Sequence, residues 1–214
     1  FNDEFSFGLD TGYTRRDLYT VFYSYGGGAP AFPFEIEQDY EVFSVSPTIT
    51  YENGRLTALF GLDYSDDQVG AVFGADPVEY ERQTLAAFTS LKYDAGEDLI
   101  LTASLRSERA RTDGSYTVLG TVSELDALTE DQYAWSLGVI KAFEQSGRVY
   151  GSLRRFYRYA ATDEVTVVDF VGGTASFNPD LDAEWGHEME LGGDWAFDSL
   201  LVGARIYYQW MNDE

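Results

Sequence analysis

The chain has 214 residues, and its 37 Asp and Glu against 14 Lys and Arg give a formal net charge of −23. A surface this acidic repels a phosphate backbone, so nucleic acid is excluded as a partner. The absence of cysteine and the single histidine, His187, exclude a disulfide framework, a thiol nucleophile and a multi-histidine metal site. No spacing pairs a nucleophile with a base, so we expect no catalytic residue, no cofactor and no enzyme.

Apolar and polar residues alternate along most of the chain, as in β-strands with two different faces. In residues 43–51, Phe43 and Ile49 share an apolar face, while serine and threonine occupy the other. Asn53-Gly54 follows, the strongest short signal for a hairpin turn. The composition agrees, because aromatic residues make up 16% of the chain and only 5 residues are proline. No apolar run approaches the roughly 18 residues that a membrane-spanning helix needs.

Tight turns and long polar connections follow one another along the chain. This segregation is typical of outer-membrane barrels, which have short periplasmic turns and long outside loops. We therefore predict an all-β fold, an antiparallel transmembrane β-barrel domain over residues 1–214. About nine strands are predicted, at 4–24, 37–52, 55–65, 80–94, 98–109, 130–144, 148–160, 184–195 and 199–212. Tight turns are expected near 53–54, 94–98, 144–147 and 195–199, and long outside loops near 26–35, 66–79, 109–129 and 161–183.

Four strands that descend into the tight turns end in an aromatic residue on the apolar face: Tyr51, Tyr93, Phe143 and Trp195. Aromatic rings at the level of the lipid headgroups form the girdle of a transmembrane barrel. We predict that these four residues form such a girdle, that the apolar face contacts outer-membrane lipid and that the polar face lines a wet lumen. Lys141 is a cation at a position on the apolar face, and we expect it to extend its amine toward the membrane–water interface. The alternative is a soluble two-sheet β protein whose apolar face lies in a core.

An odd number of strands does not close a bacterial single-chain barrel, which has an even number. An open sheet would leave two unpaired edges in hydrocarbon, where each orphan backbone group costs several kcal/mol. We therefore expect the chain to be one arc of a larger barrel. A span needs only about 9–11 residues, so the longer strands should project beyond the outer surface.

The segment 177–192 resembles one that is typical of the TonB-dependent outer-membrane receptors of Gram-negative bacteria. In that family, Asn-Pro-(Asp/Asn)-Leu-Lys-Pro-Glu precedes a strand that contains Glu-x-Gly. The matching positions are Asn178, Pro179, Asp180, Leu181 and Glu184, followed by Glu190 and Gly192. Asp182 and Ala183 replace the usual Lys and Pro. The resemblance implies a barrel of about 22 strands, plugged by an N-terminal domain that contacts the TonB complex. It places the plug and the closing strands outside this chain.

Two sets of residues are candidates for ligand binding. Aromatic residues in or next to the first outside loop would line a pocket for a ring-bearing chelate, or else pack the loops together. They are Tyr23, Tyr25, Phe32 and Phe34. Arg154 and Arg158 lie in lumen phase and would meet the substrate or the plug. The alternative for these two is a ladder of ion pairs that braces the wall.

From the residues and the resemblance together we expect an active uptake receptor of the bacterial outer membrane. Its solute would be scarce and bulky, such as a ferric siderophore or a similar metal chelate. Its partners would be outer-membrane lipid, the TonB complex through a plug domain, and an extracellular small-molecule or metal-chelate ligand. Two alternatives stay open: a passive porin or polysaccharide-export barrel, and a soluble β-rich binding or adhesion domain.

Overall fold

A computed structural model describes residues 4–26, 29–73, 76–118, 121–124, 127–143, 147–160, 166–169, 174–177 and 181–212. Their side chains are described except those of 22–26, 29–34, 73, 76, 118, 123, 166–169 and 174–177. Nearly all of these residues are in β-strands. Within the same ranges, no helix is long and apolar enough to cross a membrane.

Nine long strands and three short ones make up the fold. In chain order they are β1 (Phe5–Gly26), β2 (Ala29–Asn53), β3 (Leu56–Phe73), β4 (Asp76–Gly96), β5 (Leu99–Val118), β6 (Thr121–Glu124), β7 (Leu128–Phe143), β8 (Gly147–Arg158), β9 (Thr166–Asp169), β10 (Thr174–Phe177), β11 (Glu184–Phe197) and β12 (Leu200–Asn212).

The long strands form one antiparallel meander, in the order β1-β2-β3-β4-β5-β7-β8-β11-β12. β6 folds back onto the end of β5, and β9 and β10 pair with each other in a separate small sheet. Each long strand thus pairs with its neighbours along the path, as in an up-and-down barrel wall. The predicted all-β antiparallel fold is confirmed.

Tight turns connect the strands at the end predicted to face the periplasm. Gly54 has a φ of 53° and Gly96 a φ of 85°, backbone conformations that glycine adopts without steric cost. Asp198, in the turn between β11 and β12, has a φ of 45°, which a short polar side chain tolerates. β7 ends at Phe143 and β8 begins at Gly147, and the predicted turn between them falls mostly outside the described residues.

At the opposite end the strands are longer than predicted, which corrects the predicted outside loops. β1 and β2 are paired up to Gly26 and Ala29, so most of the segment 26–35 is strand. The hairpin of β3 and β4 likewise occupies most of the segment 66–79.

The other two predicted loops also contain strands. Segment 109–129 holds the end of β5, all of β6 and the start of β7, and segment 161–183 holds the β9–β10 pair. The reason is physical: above the membrane both faces of a strand meet water, so the apolar alternation ends although the backbone pairing continues. Sequence periodicity therefore reports the length of the apolar stretch and not the length of the strand.

The sheet has one apolar and one polar face. Cross-strand partners on the apolar face include the pairs Ile49 with Phe60 and Leu101 with Val139. Large apolar side chains on this face are exposed: Phe43 46%, Ile49 40%, Phe60 52%, Leu101 42% and Ile206 71%. No second sheet covers them within the described residues, which disagrees with the soluble two-sheet alternative. The packed core is small and lies on the polar face, around Val69 and Tyr80.

Candidate functional site

Long side chains on the polar face contact one another across intervening strands. Arg106 of β5 bonds Asp63 of β3, although β4 lies between them. Arg82 of β4 bonds the carbonyl of Ala160, which follows β8. Neighbouring strands are about 4.8 Å apart, so in a flat sheet β4 and β8, three spacings apart in the strand order, would be too far apart for one arginine to bridge. The polar face is therefore the concave side of an arc, and it is the side that faces a lumen.

The first cluster on this face centres on Arg106. Its guanidinium donates to Asp63 and, from Nε at 3.0 Å, to Oε2 of Glu108. The hydroxyl of Tyr157 on β8 also lies near Arg106, and Ser46 on β2 lies near Asp63. Glu108 is only 9% exposed, and a carboxylate so far from water requires a paired cation. This network ties β2, β3, β5 and β8 together and braces the arc.

The second cluster centres on Arg82, higher on the wall. Arg82 Nε donates to Thr112 Oγ1 at 3.1 Å, and Nη2 donates to the Ala160 carbonyl at 2.9 Å. The guanidinium also lies 5.4 Å from the ring centre of Tyr80 and 5.5 Å from that of Tyr159. Tyr80 is 4% exposed, so the cation is stacked on a buried ring. The chain that leaves β8 is thus drawn across the inside of the arc to β4.

The chain that returns to β11 is held in the same way. Glu130 Oε1 on β7 accepts a hydrogen bond from the backbone amide of Ala183 at 3.0 Å, and Ala183 is 6% exposed. We name residues 159–160 and 181–183 the inner segment. Both of its ends are fixed to the concave face, so the connection between β8 and β11 starts and finishes inside the arc.

Burial changes the acidity of the groups around the inner segment. A membrane span takes about ten residues from the periplasmic turns, and Glu130 and Tyr159 lie above it. Burial raises the pKa of the Glu130 carboxyl, and it raises the pKa of the Tyr159 phenol strongly. Two buried atoms beside Arg82 lack a hydrogen-bond partner among the described residues: Asp67 Oδ1 and the Tyr159 hydroxyl. An unmet acceptor and an unmet hydroxyl next to a cation make this a place where a polar group is able to bind.

The predicted lumen arginines lie lower, on β8. Arg154 Nη2 is 2.8 Å from the Glu188 carboxylate, and Arg158 Nη2 is 3.0 Å from Oε2 of Glu184. Arg148 forms a further pair with Asp194, at 2.7 Å. These pairs join β8 to β11 at intervals along the lumen face, which is the geometry of the ion ladder considered above. A role of Arg154 and Arg158 in ligand binding remains a prediction.

The aromatic ligand candidates fall where only the backbone is described. The backbones of Tyr23 and Tyr25 lie in β1, and those of Phe32 and Phe34 lie in β2. Their side chains lie outside the described part of the chain. These four residues therefore remain a prediction and are separate from the clusters around Arg82 and Arg106.

The family-motif residues are only partly described. Asn178, Pro179 and Asp180 lie outside the described residues. Leu181 lies in the inner segment, and Glu184 begins β11 and accepts from Arg158. The described part of the matched stretch, Leu181 to Glu184, therefore leads from the inner segment into β11.

The predicted girdle residues lie near the turn ends of their strands, on the apolar face. Tyr93, Phe143 and Trp195 are exposed, and the ring of Tyr51 packs 4.9 Å from that of Phe5. Their role as a membrane girdle remains a prediction. Lys141 Nζ donates to the Glu97 carbonyl in the β4–β5 turn, so its amine does reach toward this end of the wall.

Sequence reasoning missed the Arg82 cluster and the Glu130 contact. Arg82 falls in a predicted strand, at a position that the alternation assigns to the polar face. That assignment is the one sequence signal that could have identified it. Its partner Ala160 is 78 residues away and has no side-chain signal of its own. The inward course of the chain after β8 is visible only in the fold.

The model of the TonB-dependent receptor-like β-barrel family matches residues 1–214. Among solved structures, the chain is similar to the copper transporter OprC, with a TM-score of 0.79, 14% identity, and coverage of 97% of this chain and 36% of that one. It is also similar to the ferric yersiniabactin uptake receptor FyuA from Yersinia pestis (TM-score 0.71, 15% identity, 98% and 34% coverage). A third is the siderophore receptor PiuA from Acinetobacter baumannii (TM-score 0.74, 12% identity, 96% and 38% coverage).

No curated protein matches the chain. The chain spans about a third of the length of these solved structures. The family is one of transporters and receptors of the bacterial outer membrane and not of enzymes. With its family model matched from end to end and its wall of antiparallel strands, the chain belongs to the TonB-dependent receptors and is part of their outer-membrane β-barrel.

Proposed function

We propose that the receptor containing this chain imports a scarce, bulky solute, a ferric siderophore or a similar metal chelate. Import uses energy that the TonB complex delivers through a plug domain outside this chain. The observation that carries the proposal is the concave polar face within a TonB-dependent receptor barrel, with the inner segment fixed against it by Arg82 and Glu130. The names of two similar structures, a ferric yersiniabactin receptor and a siderophore receptor, agree with this solute class.

The arrangement suits binding and passage rather than chemistry. The guanidinium of Arg82 and the hydroxyl of Tyr159 are hydrogen-bond donors, and donors suit the oxygen acceptors of a chelate. A chelate with carboxylate, catecholate or hydroxamate oxygens offers acceptors to the cation of Arg82. We place the contact of the solute with this barrel arc at the Arg82 cluster.

The experiment is uptake of ⁵⁵Fe-labelled siderophores by cells that carry the full receptor as their only receptor of this class. We expect uptake in energised cells that is lost when TonB is deleted, as for an active receptor. Uptake that persists without TonB would overturn the proposal and favour a passive porin.

Variants of the full receptor then test the site. Arg82→Ala should lower uptake at least tenfold in receptors that migrate as folded barrels on unheated gels. The matched control is Arg109→Ala, which removes an exposed arginine that is paired with Asp131 on the opposite face of the sheet. Equal loss in both variants would show that the Arg82 cluster has no special part in uptake.

A further inference from the structure

The wall contains a seam between β7 and β8. Backbone pairing of these strands runs from Phe143 and Gly147 up to Trp135 and Arg155, where it ends. Above this point β7 continues to Leu128, paired only with β5 on its other side. β8 continues to Arg158, paired only with β11. Residues 128–134 of β7 therefore have no strand beside them on the β8 side, within the described part of the chain.

Arg155 lies at the lower end of this seam. Arg155 is 7% exposed although its position falls on the apolar face, opposite Trp135 and His187. Its Nη1 donates to the backbone carbonyl of Tyr133, and its Nη2 donates to Gln132 Oε1 at 3.3 Å. The guanidinium thus takes the place of a neighbouring strand for a β7 carbonyl.

Aromatic rings hold the guanidinium from the lipid side. Its centre lies 3.8 Å from the ring centre of Tyr133 and 4.9 Å from that of Trp185. Tyr133 comes from β7, one rim of the seam, and Trp185 comes from β11, the strand that pairs with the other rim, β8. Cation–π contacts of this kind contribute more as water is removed from them.

The position of the seam relative to the apolar band determines whether lipid or water contacts it. Just below it on β7 the lipid-facing side chains are Leu137 and Val139, which are 54% and 41% exposed. Beside the seam itself, at the height of Asp131, is the exposed ion pair of Arg109 with Asp131. The seam therefore starts at the upper border of the apolar band, where acyl chains of the outer leaflet end.

We propose that this seam is a lateral passage between the barrel lumen and the outer leaflet, closed by Arg155, and that its occupant when open is an apolar or amphipathic molecule. Opening separates contacts of side chains, those of Arg155 and the bond of Glu130 to the Ala183 amide, because no strand pairing joins β7 to β8 above Trp135. Between β5 and β7, which stay paired up to Leu128, an opening would break the ladder and leave backbone groups unpaired. The proposal does not depend on which solute the receptor imports.

The experiment uses the full receptor in proteoliposomes made with phospholipids brominated on their acyl chains, which act as the apolar probe. The 214 residues contain no cysteine, so a Ser136→Cys substitution gives one site in this arc for a small fluorophore. Ser136 lies on the lumen side just below the seam, where it bonds Ser104. Quenching of this label reports acyl chains that have entered through the wall.

We expect at least threefold more quenching of the Ser136 label in Arg155→Ala than with Arg155 in place. Arg155→Lys should give an intermediate value, because lysine keeps the charge but lacks the second nitrogen donor. The control Arg109→Ala should leave quenching unchanged. A label at lipid-facing Leu137 should be quenched in every variant, and heat-modifiable gel migration identifies the folded barrels. Equal quenching at Ser136 with and without Arg155, in folded receptors, would overturn the proposal, because Arg155 would then not control the entry of acyl chains.

Discussion

The inner segment should detach when Arg82 is replaced by alanine. Arg82 donates to Thr112 Oγ1 at 3.1 Å and to the Ala160 carbonyl at 2.9 Å, and it stacks on Tyr80 and Tyr159. The bond to Thr112 joins two wall strands, so only the bond to Ala160 and the stacking on Tyr159 hold the inner segment itself. A hydrogen bond from a charged group contributes about 1.5–3 kcal/mol, and a cation–π contact at least about 0.5 kcal/mol. Because such terms are not fully additive, we expect the local stability of the segment to fall by about 2–3 kcal/mol.

Hydrogen exchange followed by mass spectrometry measures this loss directly. A change of about 2–3 kcal/mol corresponds to about 25- to 140-fold faster exchange in the peptide that covers residues 159–160. Peptides of β1 and β12, far from Arg82 in the sheet order, are internal controls and should not change. In Arg82→Lys the exchange rate should lie between those of the unsubstituted receptor and Arg82→Ala, because lysine keeps the charge but lacks the planar guanidinium. Exchange within twofold of the unsubstituted receptor would refute the reasoning that Arg82 holds this segment.

Three further predictions concern the concave face. Replacing Arg106 by alanine leaves the buried Glu108 unpaired and should cost about 3 kcal/mol, seen as a lower unfolding midpoint in urea. Gly61→Val places a side chain where the ring of Phe88 lies, since even a Cβ there would be 2.3 Å from that ring. The substitution should lower the free energy of unfolding by about 1–3 kcal/mol. Adding Phe88→Ala in the same chain should restore much of this loss. Because burial raises the pKa of Glu130, its protonated form stabilises the fold below the ordinary carboxyl pKa, and this contribution is lost as pH rises through the folded pKa. The urea midpoint of unfolding should therefore fall from pH 4 to pH 7 by more in the unsubstituted receptor than in Glu130→Gln, whose side chain does not titrate.

The apolar alternation was enough to predict the all-β antiparallel fold, about nine long strands and the two faces of the sheet. It works because lipid on one side and water on the other impose a period of two on each spanning stretch. Phe43 and Ile49 are exposed on one face, as this reasoning requires. The upper ends of the strands could not be predicted, because water on both sides removes the period there.

The candidate site was less accessible to sequence reasoning. The charges of Arg154 and Arg158 were visible, and the structure pairs them with Glu188 and Glu184 across β8 and β11. The contacts of Arg82 and Arg155 depend instead on two features of the tertiary structure. These are the inward turn of the chain after β8 and the end of pairing between β7 and β8. Neither feature has a local signal, since both concern residues that are far apart in sequence.

The most direct test of the whole account is a nitroxide scan of β5 in the full receptor in lipid bilayers, one labelled residue at a time. Accessibility to oxygen, which concentrates in lipid, is compared with accessibility to a water-soluble nickel complex. We predict that labels at Leu101, Ala103 and Leu105 meet oxygen, that labels at Thr102 and Ser104 do not, and that the two profiles alternate with a period of two. Equal access to oxygen on both faces, or oxygen on the Thr102 and Ser104 side, would contradict the claim that the apolar face meets lipid and the polar face encloses the lumen.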